Sequence, residues 1–193
     1  MKIGIISDIH GDVRALRRAL DEMQPVDWVL CAGDLVLQYR FSNEVFDIVR
    51  ERGIRSVRGN HEEAILSSAG TPLRTSGTIS PDNMRMLQAL PPFVEMEVGG
   101  KLLMMVHSSP LDPMNDGRIR LSGDGHHLPE SKADVLVVGN THWPMIAQAG
   151  KTLIINPGSL GEPRDPANPY KRTYALLDTV TWKVAIHGFD QPF

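Results

Sequence analysis

Short apolar runs alternate with amphipathic segments in the first third of the chain. The runs at 2–7, 27–32 and 54–58 have the length and the apolar content expected of strands. Segments 13–23 and 43–52 repeat apolar residues every three or four positions, which predicts helices with one buried face. Because strands and helices alternate in this order, we expect parallel strands joined by right-handed crossovers.

The second half of the chain predicts antiparallel pairing. Segments 93–98 and 101–106 flank two glycines at 99–100, which is a signal for a two-residue hairpin turn. A Ser-Pro pair begins a helix predicted over 80–89. Four further strands are predicted at 134–138, 152–155, 173–177 and 182–186, the last two as an antiparallel pair. The expected fold class is α/β (α+β), a four-layer αββα sandwich of two mixed β-sheets flanked by helices.

The composition describes a globular chain with its own core. Its 193 residues correspond to a single domain, 1–193, and 41% of them are hydrophobic. The formal net charge is −3 and no basic block occurs, so binding to duplex nucleic acid is not favoured. No apolar run is long enough for a signal segment or a membrane span. The single cysteine, Cys31, excludes an internal disulfide framework, and we expect a cytoplasmic protein.

Polar side chains that can bind metal follow one predicted strand after another. Ligands bind beyond the carboxyl ends of the strands in open α/β sheets, so these side chains are expected to meet along one edge. They are Asp8 and His10 after the first strand, Asp34 after the second, Asn60 and His61 after the third, His107 after 101–106, and Asn140 and His142 after 134–138.

This set of residues predicts a metal centre. An extended backbone directs residues two apart to the same side, so Asp8 and His10 can bind one ion. The carboxylate of Asp34 can give one oxygen to each of two ions. Imidazole and carboxylate ligands without thiolate suit Mn²⁺, Fe, Ni²⁺ or Zn²⁺. Two such ions about 3.5–4 Å apart favour an in-line phosphoryl displacement.

The order of these motifs resembles that of the calcineurin-like metallophosphoesterases. The motifs are Ser7-Asp8-Ile9-His10-Gly11-Asp12, Gly33-Asp34, Gly59-Asn60-His61-Glu62, His107 and Gly139-Asn140-Thr141-His142, followed by Asn156-Pro157-Gly158-Ser159. The small bacterial and archaeal phosphodiesterase branch is the most similar, and the resemblance extends from about residue 2 to residue 165. Each motif alone is weak, whereas five in order at predicted strand ends are specific.

The resemblance implies a role for each residue. Two divalent ions, Mn²⁺ foremost, would be bound, the first by Asp8, His10 and His142, with Asp34 bridging, and the second by Asn60, His107 and the residue at 140. A hydroxide between the ions would attack the phosphorus of a phosphodiester or phosphomonoester, either a small phosphate ester or a nucleotide. His61 would bind no metal; it would stabilise charge on a phosphate oxygen or protonate the leaving alcohol. Catalysis would thus depend on His61, Asp34 and Asn60.

Two positions depart from the family pattern. Asn140 stands where the family usually has a histidine that ligates the second metal, and Ser108 stands where it usually has glycine. An amide oxygen is a weaker, neutral donor compared with imidazole. We therefore expect a tight first metal site and a weaker, exchangeable second one.

Three alternatives stay open from the sequence. The chain could be a protein-interaction scaffold with this fold, like the retromer subunit related to the family, and Asn140 favours that interpretation. It could also be a hydrolase with one metal, and it could form oligomers.

The long Gly- and Pro-rich loop 108–132 is expected to cover the site and influence substrate choice, with His126 and His127 solvated in it.

Overall fold

The computed structural model describes residues 1–109 and 132–191. Most of the loop 108–132, including His126 and His127, lies outside these residues. The strands are β1 (Lys2–Ile6), β2 (Trp28–Cys31), β3 (Arg55–Ser56), β4 (Phe93–Val98), β5 (Lys101–Val106), β6 (Val135–Val137), β7 (Met145–Ala149), β8 (Thr152–Asn156), β9 (Lys171–Asp178) and β10 (Lys183–Asp190). The helices are α1 (Val13–Glu22), α2 (Asn43–Glu51), α3 (Asn60–Leu66), α4 (Thr71–Thr75) and α5 (Pro81–Ala89), with a 3-10 turn at Ser68–Gly70.

The strands form two five-stranded mixed sheets. The first has the order β10-β9-β1-β2-β3, in which β1, β2 and β3 are parallel and β9 and β10 are antiparallel. The second has the order β4-β5-β6-β8-β7, in which β5, β6 and β8 are parallel and both edge strands are antiparallel. Two mixed sheets with flanking helices confirm the fold class predicted from the sequence.

Within residues 1–109 and 132–191, the apolar core consists of three clusters that follow the layers. The inner faces of the two sheets share one cluster, which includes Ile5, Leu103 and Val135. The outer face of the first sheet packs against α1, α2 and α5 through residues such as Leu16 and Phe46. A smaller cluster lies on the outer face of the second sheet. In the described ranges no helix combines the length and apolar character that spanning a bilayer requires.

Most predicted elements agree with the structure, and the differences have local causes. The Gly99-Gly100 hairpin between β4 and β5 is confirmed. Asp12 is the N-cap of α1, where its carboxylate accepts the N–H of Ala15 at 2.9 Å. The third strand, expected over 54–58, is only the two residues of β3, because it pairs with β2 alone at the sheet edge. The edge strand β7 was not predicted, since its Ala and Gln residues carry little β signal.

Candidate metal centre

The loops that follow β1, β2, β5 and β6 are joined by backbone hydrogen bonds into one platform. The N–H of His10 donates to the carbonyl of Asp34 at 3.1 Å, so the first two loops lie side by side. The N–H of Gly139 donates to the carbonyl of His107 at 2.9 Å in the second sheet. The N–H of Gly161 donates to the carbonyl of Asp8 at 2.8 Å, which ties the two sheets together. The carboxyl ends of both sheets therefore form one edge, as the sequence predicted.

The first cluster on this edge consists of Asp8, His10 and His142, all buried. The Nε2 atoms of the two histidines are 3.1 Å apart. Asp8 Oδ1 lies 3.3 Å from Nε2 of His142 and 3.9 Å from Nε2 of His10. This carboxylate oxygen is buried without a hydrogen-bond partner. A buried carboxylate oxygen is costly unless it is paired or coordinates a cation, so the cluster fits a metal ion.

The second cluster adjoins the first and consists of Asp34, His107 and Asn60. Nε2 of His107 lies 3.2 Å from Asp34 Oδ2 and 3.1 Å from the amide oxygen of Asn60. Asp34 also groups with His10 and His61, so its carboxylate lies between the two clusters. That is the position from which one carboxylate can reach two ions.

Backbone carbonyls determine which ring nitrogen carries the proton in two of the histidines. Nδ1 of His107 lies 2.6 Å from the carbonyl of Ala32, and Nδ1 of His142 lies 2.6 Å from the carbonyl of Glu162. Each carbonyl accepts a hydrogen bond from Nδ1, which leaves the Nε2 lone pair directed into the cluster. At His107 this nitrogen faces two oxygen acceptors, so either a proton on Nε2 or a metal ion bound by it has to balance them.

The pKa values of the second cluster reflect the same charge arrangement. Burial opposes the ionisation of Asp34, but the neighbouring histidines, His107 foremost, hold its pKa below the usual value. Burial alone would lower the pKa of His107, whereas the charge of Asp34 raises it to about 10. A proton and a metal ion therefore compete for Nε2 of His107.

The backbone at the centre is strained in a way that the sequence did not indicate. Six non-glycine residues in residues 1–109 and 132–191 have positive φ, and five of them are Asp8, His10, Asp34, Asn140 and His142, with φ between 50 and 63°. The expectation that Asp8 and His10 share an extended backbone is wrong, because both are left-handed. Such conformations persist only where surrounding contacts impose them, and they cluster at functional sites.

Two glycines allow the backbone to approach the carboxylates closely. A Cβ at Gly59 would collide with Asp34 Oδ1 and lie 2.8 Å from its Cγ. A Cβ at Gly139 would collide with Ser7 Oγ and lie 2.9 Å from Asp8 Oδ2. Glycine is therefore required at both places for the acidic side chains to keep their positions.

His61 lies at the rim of the centre. Its side chain is 22% exposed, whereas those of Asp34 and His107 are 2% and 1% exposed. The backbone N–H of Gln38 donates to its Nδ1 at 3.0 Å, so in the neutral ring the proton is on Nε2. Nε2 lies 3.8 Å from Asp34 Oδ2. His61 therefore presents a hydrogen-bond donor toward the space above Asp34.

Asn140 and Ser108, the two departures from the family pattern, contact each other. The amide Nδ2 of Asn140 donates to Oγ of Ser108 at 2.9 Å, and both residues are 4% exposed. The backbone N–H of Asn140 donates to Asp8 Oδ2 at 3.2 Å. The two departures therefore form one buried pair beside the candidate metal ligands, and their separation along the chain gives no sign of this contact.

Glu62 supports the centre and was not singled out from the sequence. Its Oε2 accepts the N–H groups of Gly59 and Asp34 at 2.8 and 3.0 Å, and its Oε1 accepts that of Val36 at 3.2 Å. Burial, and then the charge of Asp34, raise its pKa to about 7. Glu62 thus fastens the loop after β2 to the start of α3. Its place in the Gly-Asn-His-Glu motif was the available signal.

All candidate ligands predicted from the sequence therefore meet in one place in the described residues. Two other residues of metal-binding type, His187 and Cys31, lie elsewhere: His187 stacks on Tyr174 with ring centres 5.6 Å apart, and Cys31 is buried with a raised pKa. The clusters fit divalent metal ions in the chemistry of their donors and in the orphaned oxygen of Asp8.

Comparisons with known proteins identify the family of this chain. The family description "Calcineurin-like phosphoesterase superfamily domain" matches residues 1–181. Phosphodiesterase YfcE of Escherichia coli K12 is 27% identical over 184 residues, which cover 92% of this chain and 88% of that protein. The probable metallophosphoesterase MJ0623 of Methanocaldococcus jannaschii is 28% identical over 171 residues, which cover 86% and 71%.

A solved structure shows the same fold over the whole chain. The crystal structure of a metallophosphoesterase from Sphaerobacter thermophilus has a TM-score of 0.79 and 25% identity, covering 100% of this chain and 90% of that chain. Since the family match spans nearly the whole sequence and the relatives are bacterial and archaeal phosphoesterases, this chain belongs to the calcineurin-like phosphoesterase superfamily, in its small bacterial and archaeal branch.

Proposed function

We propose that this protein is a phosphoesterase that hydrolyses phosphodiesters, and phosphomonoesters as a second class, with two divalent metal ions. The observation that carries the proposal is the junction of two acid–histidine clusters through Asp34. A relative, YfcE, is named a phosphodiesterase, which supports diesters as the first class to test. Small phosphate esters and nucleotides are the substrates proposed.

We assign the candidate ligands among the described residues to two ions. Asp8, His10 and His142 would hold the first, and Asn60 and His107 the second, with Asp34 shared. We assign Asn140 to the weaker second site. Oxygen and imidazole donors without thiolate favour Mn²⁺, with Fe, Ni²⁺ and Zn²⁺ as alternatives. Bound there, such ions act as Lewis acids and lower the pKa of a water to near neutrality.

The protein itself orients the candidate metal ligands and supplies a proton to the substrate. The carbonyls of Ala32 and Glu162 hold two imidazoles with Nε2 directed inward. Glu62 holds the loop that carries Asp34 against the start of α3, since it accepts two backbone N–H groups from the loop and one from Gly59. His61 offers its Nε2 proton to a phosphate oxygen or to the leaving alcohol. Such positioned proton transfer contributes about 10²–10⁴-fold to a rate.

Metal removal and addition test the proposal. Protein stripped with a chelator is expected to hydrolyse bis(p-nitrophenyl) phosphate only after Mn²⁺, or a less effective Fe, Ni²⁺ or Zn²⁺, is restored, because the clusters then regain their cations. Elemental analysis of the same samples counts ions per chain. Absence of hydrolysis with every metal would contradict the proposal and favour the scaffold function.

The Asn140–Ser108 pair yields a prediction about the second ion. Asn140→His combined with Ser108→Gly is expected to tighten binding of the second Mn²⁺ by about 10-fold or more, since imidazole is the better donor and the removed hydroxymethyl makes room for it. Asn140→His alone should gain less, because Oγ of Ser108 lies 2.9 Å from the present amide nitrogen. Calorimetric titration with Mn²⁺ measures both steps.

Ser108→Gly alone completes the double-mutant cycle and is the control for loss of the hydroxyl. Non-additive effects of the two changes are expected, because the side chains are in contact. If the double variant and the native protein gave the same titration curve, Asn140 would have no influence on the second site.

A further inference from the structure

A cavity of about 580 Å³ opens beside the first cluster, and His10 is part of its wall. Three arginines from separate parts of the chain line it: Arg14 in the first turn of α1, Arg40 in the loop between β2 and α2, and Arg172 in β9. The fold therefore brings three guanidinium groups to a space that adjoins the proposed metal centre.

Arg14 and Arg40 differ from most arginines of the described chain. Arg17, Arg18, Arg50, Arg58, Arg85 and Arg164 each form an ion pair with a carboxylate. Arg14 and Arg40 form no ion pair among residues 1–109 and 132–191, although both face the same cavity. Two unneutralised guanidinium groups around one cavity are available to an anion from solution.

The acidic residues at the cavity are engaged with other groups. Asp12 Oδ1 accepts the N–H of Ala15, and Asp12 Oδ2 accepts Nε2 of Gln191 at 2.8 Å and lies 3.9 Å from Arg172. Glu162 Oε2 lies 4.0 Å from Arg164. Burial lowers the pKa of Arg172, the charges of Asp12 and Glu162 oppose this lowering, and the charge of Arg14 adds to it. The lining holds three arginines and two carboxylates. Positive charge thus exceeds negative charge at this wall.

We propose that this cavity binds a second phosphate group of the substrate, so that within the phosphomonoester class the preferred substrates are compact molecules with two phosphates, one of which is hydrolysed at the metal centre. The inference rests on the proposed function. Arginine matches phosphate because its planar fork donates two parallel hydrogen bonds.

The lining also argues against recognition of a nucleobase in this cavity. Apart from the imidazole of His10, its described lining contains no aromatic ring, and its apolar members are the small or aliphatic Val13 and Leu37. A base is usually bound by stacking on an aromatic side chain. A bisphosphate of a sugar or of a short diol fits this lining better than a nucleotide does.

A matched series of substrates tests the proposal. The monophosphates and bisphosphates of straight-chain diols with two to six carbons share the same scissile bond and differ only in the second phosphate. In the Mn²⁺-loaded protein, kcat/KM for the best bisphosphate is expected to exceed that of its monophosphate by about 10- to 100-fold, the effect of charged hydrogen bonds. The ratio should peak at one chain length, because the arginines extend from defined places in the fold, α1 and the loop between β2 and α2, at a limited distance from the metal centre.

Variants then assign the preference to the arginines. Arg14→Gln combined with Arg40→Gln is expected to lower the ratio to about two, the statistical value for two equivalent phosphates. Arg52→Gln is the matched control, since Arg52 is an exposed arginine at the end of α2 outside the cavity lining, and it should keep the native ratio. A native ratio near two, or an unchanged ratio in the double variant, would overturn the proposal.

A binding measurement separates this inference from the proposed function. Propane-1,3-bisphosphonate cannot be hydrolysed, and its affinity for the Mn²⁺-loaded protein can be measured by calorimetry. We expect about 10-fold weaker binding to the double variant compared with the native protein, since both have the same metal ligands. If bis(p-nitrophenyl) phosphate is hydrolysed while the two dissociation constants are equal, the function stands and the second phosphate site is refuted. If no ester is hydrolysed, the two dissociation constants measured by calorimetry still test the second phosphate site.

Discussion

Asp34→Asn is expected to lower turnover by about 10³-fold or more and to remove at least one ion per chain. Asp34 is the carboxylate that both clusters share, so its charge would attract both of the proposed cations. The N–H of His61 donates to its Oδ1 at 3.0 Å, which would hold the amide oxygen of an asparagine at that place. The amide NH₂ would then take the position of Oδ2, 3.2 Å from Nε2 of His107, and present a donor where the ion needs an acceptor. Loss of one preorganised electrostatic group costs about 10²–10³ in kcat, and this change affects two ions.

The metal-free variant should remain folded, because the new amide can satisfy the lone pair of His107. Its melting temperature without metal is therefore expected to match that of the native protein, while the increase on adding Mn²⁺ should largely disappear. Asp82→Asn is the matched control, since Asp82 is an exposed residue of α5 paired with Arg85. Two tightly bound ions and native turnover in Asp34→Asn would exclude the shared role of this carboxylate.

The position of the centre could be predicted from the sequence, because it follows from the order of strands and polar residues along the chain. Each candidate ligand comes directly after an apolar strand, and parallel strands place their carboxyl ends together. The strand ends after β1, β2, β5 and β6 meet in the structure for this reason. A one-dimensional pattern was therefore sufficient to bring Asp8, Asp34 and His107 to one edge.

What the sequence did not reveal depends on contacts between distant segments. The bond from Asn140 to Ser108 joins loops that follow different strands, and each substitution alone gives no sign of the other. The positive φ values of Asp8 and His10 depend on contacts with neighbouring loops, since aspartate and histidine adopt positive φ more often than most residues but still prefer extended or helical backbone.

The roles of Glu62 and of the cavity arginines also depend on contacts between distant segments, which the sequence does not reveal. A glutamate in the first turn of a helix is usually solvent-exposed, but α3 begins against the loop after β2, so Glu62 is fully buried. Arg14, Arg40 and Arg172 are unremarkable in the sequence, and only the packing of α1 against β9 and the loop after β2 brings them to one cavity.

His61→Gln is expected to slow hydrolysis of alkyl phosphodiesters by about 10²–10⁴-fold while slowing that of bis(p-nitrophenyl) phosphate much less. The N–H of Gln38 occupies Nδ1 of His61, so the exchangeable proton is on Nε2, at the exposed rim of the centre. An alkoxide must be protonated as it leaves, whereas p-nitrophenolate leaves without a proton. The ratio of the two rate losses therefore measures proton donation to the leaving group, and an equal loss on both substrates would assign His61 to phosphate binding instead.

The number of ions per chain shows whether His61 is also a metal ligand. Because its Nε2 lies 3.8 Å from Asp34 Oδ2, this nitrogen could also approach an ion held by that carboxylate. If His61 is a proton donor and not a ligand, His61→Gln keeps the native metal content and Mn²⁺ affinity, and only the step with the poor leaving group is affected. His187→Gln, which changes a histidine stacked on Tyr174 outside the centre, controls for general effects of removing an imidazole. Loss of an ion in His61→Gln but not in His187→Gln would make His61 a metal ligand, and the proton would then have to come from solvent.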